Sequence, residues 1–179
     1  MICWDRTDQL VVGAFKPIHL RWLRAQLTGF RDLVDWRTKQ YRPTEFGLRL
    51  PDRPTEDQRL CAVLRTYLPA EDPEPVRLWA EPEVMTDLRA GIEDVLASLP
   101  RRGGIVQLKD KHEVRNWIAV LLDLRTAYAI TTGVPEALDC PLPADLAEDD
   151  PRRAPCALTW WLRDVVNGLT EIVGLTPVV

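Results

Sequence analysis

The sequence predicts a mainly α fold: a helical bundle of about five helices, with two short strands that could pair as a small β appendage. Three observations predict it. Five segments carry apolar residues at three- and four-residue spacing. Only two stretches, Leu10–Phe15 and Ile105–Leu108, read as strands. The chain has 179 residues, 46% apolar and 28% charged, which suits one packed core of ordinary size. Residues 1–179 are therefore read as a single helical domain.

The first strand, Leu10–Phe15, leads into a helix over residues 17–38. Pro17 suits its first turn, because proline lacks an N–H that would be orphaned there anyway. Leu20, Leu23, Leu27, Phe30 and Val34 form its apolar stripe. Arg21, Arg24, Thr28 and Arg31 fall on a neighbouring, wet stripe. Gly29 weakens the middle of this helix by about 1 kcal/mol relative to alanine. Residues 42–57 read as a loop. A short helix over 56–68 uses Leu60, Val63, Leu64 and Tyr67. The acidic run Pro69-Ala70-Glu71-Asp72-Pro73-Glu74-Pro75 reads as a linker or exposed loop.

The third helix runs over 82–99 on Val84, Leu88, Ile92, Val95, Leu96 and Leu99. Pro100 to Gly104 ends it, and Ile105–Leu108 is the second strand. Asp110 with Glu113 forms a capping box for a helix over 112–132. That helix is apolar over more than half its circumference, so it is expected at the centre. Gly133 closes it in the left-handed manner. Residues 139–155 form a polar loop. The last helix, 155–174, places Leu158, Trp161, Leu162, Val165, Leu169, Ile172 and Val173 on one face.

Composition narrows the function. The aliphatic run Ile118–Leu122 is five residues long, far short of the ~20 that a membrane helix needs. The opening Met1-Ile2-Cys3-Trp4-Asp5-Arg6 has neither the basic nor the apolar region of a secretory signal, so the cytoplasm is the expected location. Net charge is −4, which argues against non-specific nucleic-acid binding by the whole surface. Residues 16–42 nonetheless sum to +5 and residues 43–100 to −6. Arg21, Arg24 and Arg31 are thus the candidates for DNA or another anionic partner. Internal charge complementarity or plain solvation is the alternative.

No motif for a phosphate, dinucleotide, metal or nucleophile occurs, so no cofactor and no enzyme activity are expected. His19 and His112 each sit near a helix start. With no cysteine at ligand spacing, they do not indicate zinc. Asp123 and Arg125 lie on the most apolar helix. They read as a hydrogen-bonded polar cluster in the core rather than a general acid–base pair. Trp117 and Trp161 belong to apolar faces. Trp22, Trp36, Trp79 and Trp160 lie off the main stripes, and one or two of them could anchor a partner.

Four cysteines without a secretory signal argue against a structural disulfide framework. Cys61 reads as a small buried hydrophobe, and Cys3 lies near the terminus. Cys140 and Cys156 bracket the 139–155 loop. With Pro155 at the first helical position, Cys156 enters the first turn of the last helix, where unpaired N–H groups favour a thiolate. A Cys140–Cys156 disulfide would close a loop of about 17 residues, worth roughly 3 kcal/mol. It is the candidate redox switch; two ordinary thiols beside a loop is the alternative.

Two segments carry a family resemblance. Trp117-Ile118-Ala119-Val120-Leu121-Leu122-Asp123-Leu124-Arg125-Thr126-Ala127-Tyr128 resembles a central W-L-x-x-L-N-D-L-R-L-x-L-G helix. Leu158-Thr159-Trp160-Trp161-Leu162-Arg163-Asp164-Val165-Val166-Asn167-Gly168-Leu169 is similar to a closing W-L-x-x-L-x-E-x-L helix. Both belong to an actinobacterial family of domains of unknown function that includes the oxidative-stress transcriptional regulator AosR. Leu122 departs from the pattern by standing where it has asparagine. The resemblance implies a cytoplasmic regulator of transcription under oxidative stress. Its partner would be a sigma factor, RNA polymerase or DNA, with thiol switching as a further expectation. Genes of the family often neighbour that of the protease adaptor ClpS. This implies the alternative of a non-enzymatic, redox-insensitive adaptor in protein turnover.

Overall fold

The computed structural model describes residues 3–7, 10–131, 133 and 143–174. In chain order these form β1 (Cys3–Arg6), β2 (Val11–Ala14), α1 (Pro17–Lys39), β3 (Arg42–Pro43) and β4 (Arg49–Leu50). Then follow α2 (Gln58–Tyr67), α3 (Glu74–Ser98), β5 (Ile105–Leu108) and α4 (Lys111–Thr131). A short 3₁₀ turn (Pro143–Asp145) and α5 (Arg153–Val173) complete the order. The fold is mainly helical, with five helices and a small sheet, as the periodicity predicts.

The apolar stripes go where their spacing sends them. In α1, Leu20, Leu23, Leu27, Phe30 and Val34 are all buried. In α5, Leu162, Val165 and Leu169 are buried, with Leu158, Trp161, Ile172 and Val173 partly so. Helix α4 is central: α1, α2, α3 and α5 all pack on it. Its Trp117 is almost wholly enclosed, and the indole Nε1–H donates to Ser98 Oγ at 2.8 Å. Two helix starts are capped by aspartate. Asp57 accepts from the N–H groups of Arg59 and Leu60, and Asp110 from those of His112 and Glu113. Each cap satisfies two otherwise orphaned amides.

Three corrections follow. The appendage has three strands, not two, in the order β1-β2-β5, with both neighbouring pairs antiparallel. The segment read as a loop over 42–57 contains the small hairpin β3–β4. Helix α3 begins at Glu74, eight residues before the expected start, and continues straight through Pro82. Pro73 stands at the cap and Pro75 in the first turn, where a missing N–H costs nothing. At Pro82 the break is overridden by tertiary contacts, because its neighbour Glu81 is tied to α1 (below).

Val11, Val106 and Leu108 of the sheet enter the bundle core, and Trp4 adds a polar and aromatic link. Trp4 faces Gly13 across the β1–β2 ladder, and its indole Nε1–H donates to Val165 O of α5 at 3.2 Å. A Cβ on Gly168 would lie 2.7 Å from the Trp4 ring, and one on Gly13 would collide with its other side. The ring therefore fills a slot that two glycines leave open. It also packs edge-on against Phe15 and Trp117, at centroid separations of 5.3 and 6.0 Å.

Trp4→Ala should cost about 3 kcal/mol, read as a fall in the urea midpoint. A cost below about 1 kcal/mol would mean that the sheet holds to the bundle without the indole. Gly29→Ala should stabilise by roughly 0.5–1 kcal/mol in the same assay. The Gly29 backbone is helical, and beyond its own helical turn no described atom lies within 4 Å of an added Cβ.

Candidate protein-interaction surface

The site is built on a buried ion pair. Arg37 near the end of α1 and Glu81 on α3 are each about 96% buried. Arg37 Nε donates to Glu81 Oε1 at 2.6 Å and Nη2 to Oε2 at 3.2 Å, the two-pronged geometry that suits a guanidinium. Further bonds tie the pair to its surroundings, among them Arg37 Nη1 to Gln40 Oε1 at 3.4 Å. Nη2 also donates to Arg53 O at 2.8 Å, and Tyr41 Oη–H donates to Glu81 Oε1 at 3.0 Å. Burial, together with the carboxylate beside it, pushes the Tyr41 phenol well above its usual range. Charges buried this deeply persist only when paired and fully hydrogen-bonded.

This cluster gathers α1, α3 and the hairpin at one end of the bundle. Arg49 Nη2 adds a bond to Tyr41 O at 2.9 Å. In the hairpin turn, Thr44 N–H donates to Leu48 O and Gly47 N–H to Thr44 O. Gly47 takes φ 76°, a conformation that favours glycine. The turn presents Phe46 with 82% of its surface exposed. Leu48 is exposed beside it. Trp36, next to Arg37 in the chain, is 48% exposed, and Trp79, two residues before Glu81, is 56% exposed. Four large apolar side chains thus reach solvent from the elements that this cluster joins. Rigid, exposed aromatic residues are the chemistry of interface anchors.

The arginines named from the sequence have divergent fates. Arg24 donates to Leu99 O at 3.0 Å, Pro100 O at 3.3 Å and Leu96 O at 3.5 Å, so it closes the carbonyl end of α3. Arg31 pairs with Asp32 at 3.1 Å and Glu93 at 3.5 Å. Arg21 is exposed. Two of the three therefore spend donors on neighbouring carbonyls and carboxylates of this chain.

Asp123 and Arg125 are both 5% exposed, as a polar core cluster requires. Asp123 takes its hydrogen bond from Tyr67 of α2 at 2.6 Å, not from Arg125. Two residues apart on a helix, their side chains leave in nearly opposite directions. Burial pushes the Asp123 carboxyl up to about 6, and the Tyr67 hydrogen bond opposes that rise.

Cys156 is fully buried against Leu146 and Trp160. Helix α5 starts at Arg153, two residues before the expected position. The Cys156 N–H already donates to Arg152 O at 2.9 Å, so it is not one of the orphaned amides. Cys140 lies outside the described residues, and with it the Cys140–Cys156 pair. Cys61 is half-buried, and its Sγ–H donates to Thr55 O at 3.0 Å. Burial raises its thiol pKa. His19 packs against the Trp161 ring at 5.1 Å, and burial, followed by Lys16, lowers its pKa. His112 is exposed.

A family model described as Domain of unknown function (DUF2017) matches residues 1–173. The chain belongs to this family. The match spans both helices that carry the sequence resemblance. Leu122, the departure from the pattern, is half-buried against the core, where an aliphatic side chain is at home. No curated protein and no solved structure matches the chain. No helix among the described residues is long and apolar enough to cross a membrane.

The buried carboxyl makes stability depend on pH. In the unfolded chain Asp123 ionises near 4, whereas the folded chain holds the proton until about 6. Across that interval the folded state binds more protons. This contribution is therefore complete below pH 4 and is lost as pH rises through 6. Asp123→Asn keeps an acceptor for Tyr67 and removes the charge. It should flatten the pH dependence of the urea midpoint between pH 4 and 7. At pH 7 it should be the more stable chain, by on the order of 2 kcal/mol. An unchanged slope would assign the pH dependence to other groups.

Proposed function

We propose that this chain is a regulatory protein that works by holding a protein partner against the end of the bundle formed by α1, α3 and the hairpin. One observation carries the reading: Trp36, Phe46, Leu48 and Trp79 are exposed on the three elements that the Arg37–Glu81–Tyr41 cluster joins. Pre-organised aromatic side chains lose little entropy on binding, which is why they dominate interface energetics. The internal bonds of Arg24 and Arg31 favour a protein partner over DNA. Resemblance to the family of the oxidative-stress regulator AosR supports a sigma factor or RNA polymerase as that partner. Thiol switching would require the first turn of α5 to open, because the Cys156 sulfur is enclosed by Leu146 and Trp160.

The test is binding of the full chain to immobilised RNA polymerase holoenzyme and to free sigma factors. Phe46→Asp and Trp79→Ala should each weaken capture about 30-fold, the size of an interface hot spot. Arg21→Glu should leave it unchanged. Equal capture by all four chains would overturn the assignment of the surface. Salt-dependent DNA binding that Arg21→Glu abolishes would replace the protein partner with DNA. Capture by a protease adaptor complex instead of polymerase would establish the turnover role.

A further inference from the structure

A second recognition element lies at the other end of α3. β5 is an edge strand, and it borders a groove of about 630 Å³ between α3 and α4. The ladder parity decides which of its backbone groups face outward. Phe15 N–H donates to Gly104 O at 2.7 Å, and the register sets Ile105 opposite Ala14 and Gln107 opposite Val12. Bonded and non-bonded pairs alternate along an antiparallel ladder. Gly104, Val106 and Leu108 therefore bond to β2. The N–H and C=O groups of Ile105 and Gln107 point away from it, and both residues line the groove. Among the described residues no backbone or side-chain bond reaches these outward groups. Lys109 supplies the next outward amide, and Glu113 Oε2 takes it at 2.7 Å. The edge is thus closed at one end and open over two pairing positions.

The surroundings select the occupant. Trp117 and Ser98, hydrogen-bonded to each other, belong to the lining. Residues of α3 and α4 border the groove on either side of β5. The lining carries three carboxylates against the single lysine Lys109, with His112 beside them; Asp110 and Glu113 accept from backbone amides of this chain, and Asp94 is exposed. Ile105, 51% exposed, offers an apolar neighbour to a paired strand. We propose that the outer edge of β5 is a docking site for an extended, basic segment of a partner protein, which joins the sheet as a fourth strand. Main-chain bonds to Ile105 and Gln107 hold it, an apolar residue packs beside Ile105, and lysine or arginine faces Asp94. This site is separate from the aromatic surface: Trp79 and Asp94 are about 22 Å apart along α3.

The probe is the capped pentapeptide Lys-Val-Lys-Val-Lys, titrated into the ¹⁵N-labelled full chain. The amides of Ile105 and Gln107 should shift and gain protection from exchange. N-methylation of the peptide amides that pair should weaken binding at least about tenfold, as should glutamate in place of lysine. Gln107→Pro removes one outward N–H at an edge position that tolerates proline. Asp94→Lys reverses charge on an exposed helix face. Both should weaken binding by a similar factor with an unchanged melting temperature. Phe46→Asp should bind the peptide like the intact chain, so failure here and failure of the aromatic surface are distinguishable. Equal binding of the N-methylated peptide, shifts located away from β5, or no binding at millimolar peptide would each overturn the proposal.

Discussion

Trp4 occupies a slot with a glycine on each side, Gly13 on β2 and Gly168 on α5, and its N–H reaches a carbonyl of α5. No other residue type at those two positions leaves room for the ring. The indole then meets Phe15 and Trp117, and the aromatic series continues through Trp161 to Trp22 and Tyr128. A chain of aromatic contacts therefore runs from the first strand through the central helix to α1 and α5. This contact acts together with Val106 and Leu108, both buried in the core, to set the position of β5 and of the groove beside it. β5 is held to the rest of the sheet by β2, which pairs in turn with the strand that carries Trp4.

A second constraint acts at the far end. The pair Arg37–Glu81 costs desolvation that only a complete set of partners offsets. Tyr41 and Arg53 O, on either side of the hairpin, supply two of those partners and tie it to α1 and α3. The same requirement carries α3 through Pro82, because Glu81 must lie on a helix that faces Arg37. The length of α3 then separates two differently equipped ends. One bears exposed aromatic residues; the other borders an acidic groove with open backbone groups.

Much of the architecture was legible because it rests on local periodicity. The helix positions, the buried stripes of α1 and α5, the Asp110 cap and the two strands β2 and β5 all follow from spacing and cap chemistry. β1 was missed because four residues near a terminus give too short an alternation to read. The hairpin was missed because its strands are two residues each and one holds Pro43. The early start of α3 was hidden by three prolines, whose usual meaning is a break. At the candidate surface, Trp36 and Trp79 were marked by lying off the apolar stripes. Phe46 and Leu48 gave no signal of their own, since their exposure follows from the turn that carries them. Arg24 read as a wet, available cation because the α3 carbonyls it closes lie more than seventy residues away.

The sequence by itself determined which segments are helical, which side of each helix is buried, and that Asp123 and Arg125 lie in the core. Those properties depend on residues three or four apart, and the chemistry that sets them is local. Tertiary structure alone decided the partner of each polar group: Tyr67 for Asp123, Glu81 for Arg37, the end of α3 for Arg24. It also decided that β5 lies at an edge of the sheet and which of its amides stay open. Such pairings join residues distant in the chain. Their energy comes from satisfying buried donors and acceptors, a requirement that exists only once the helices have packed.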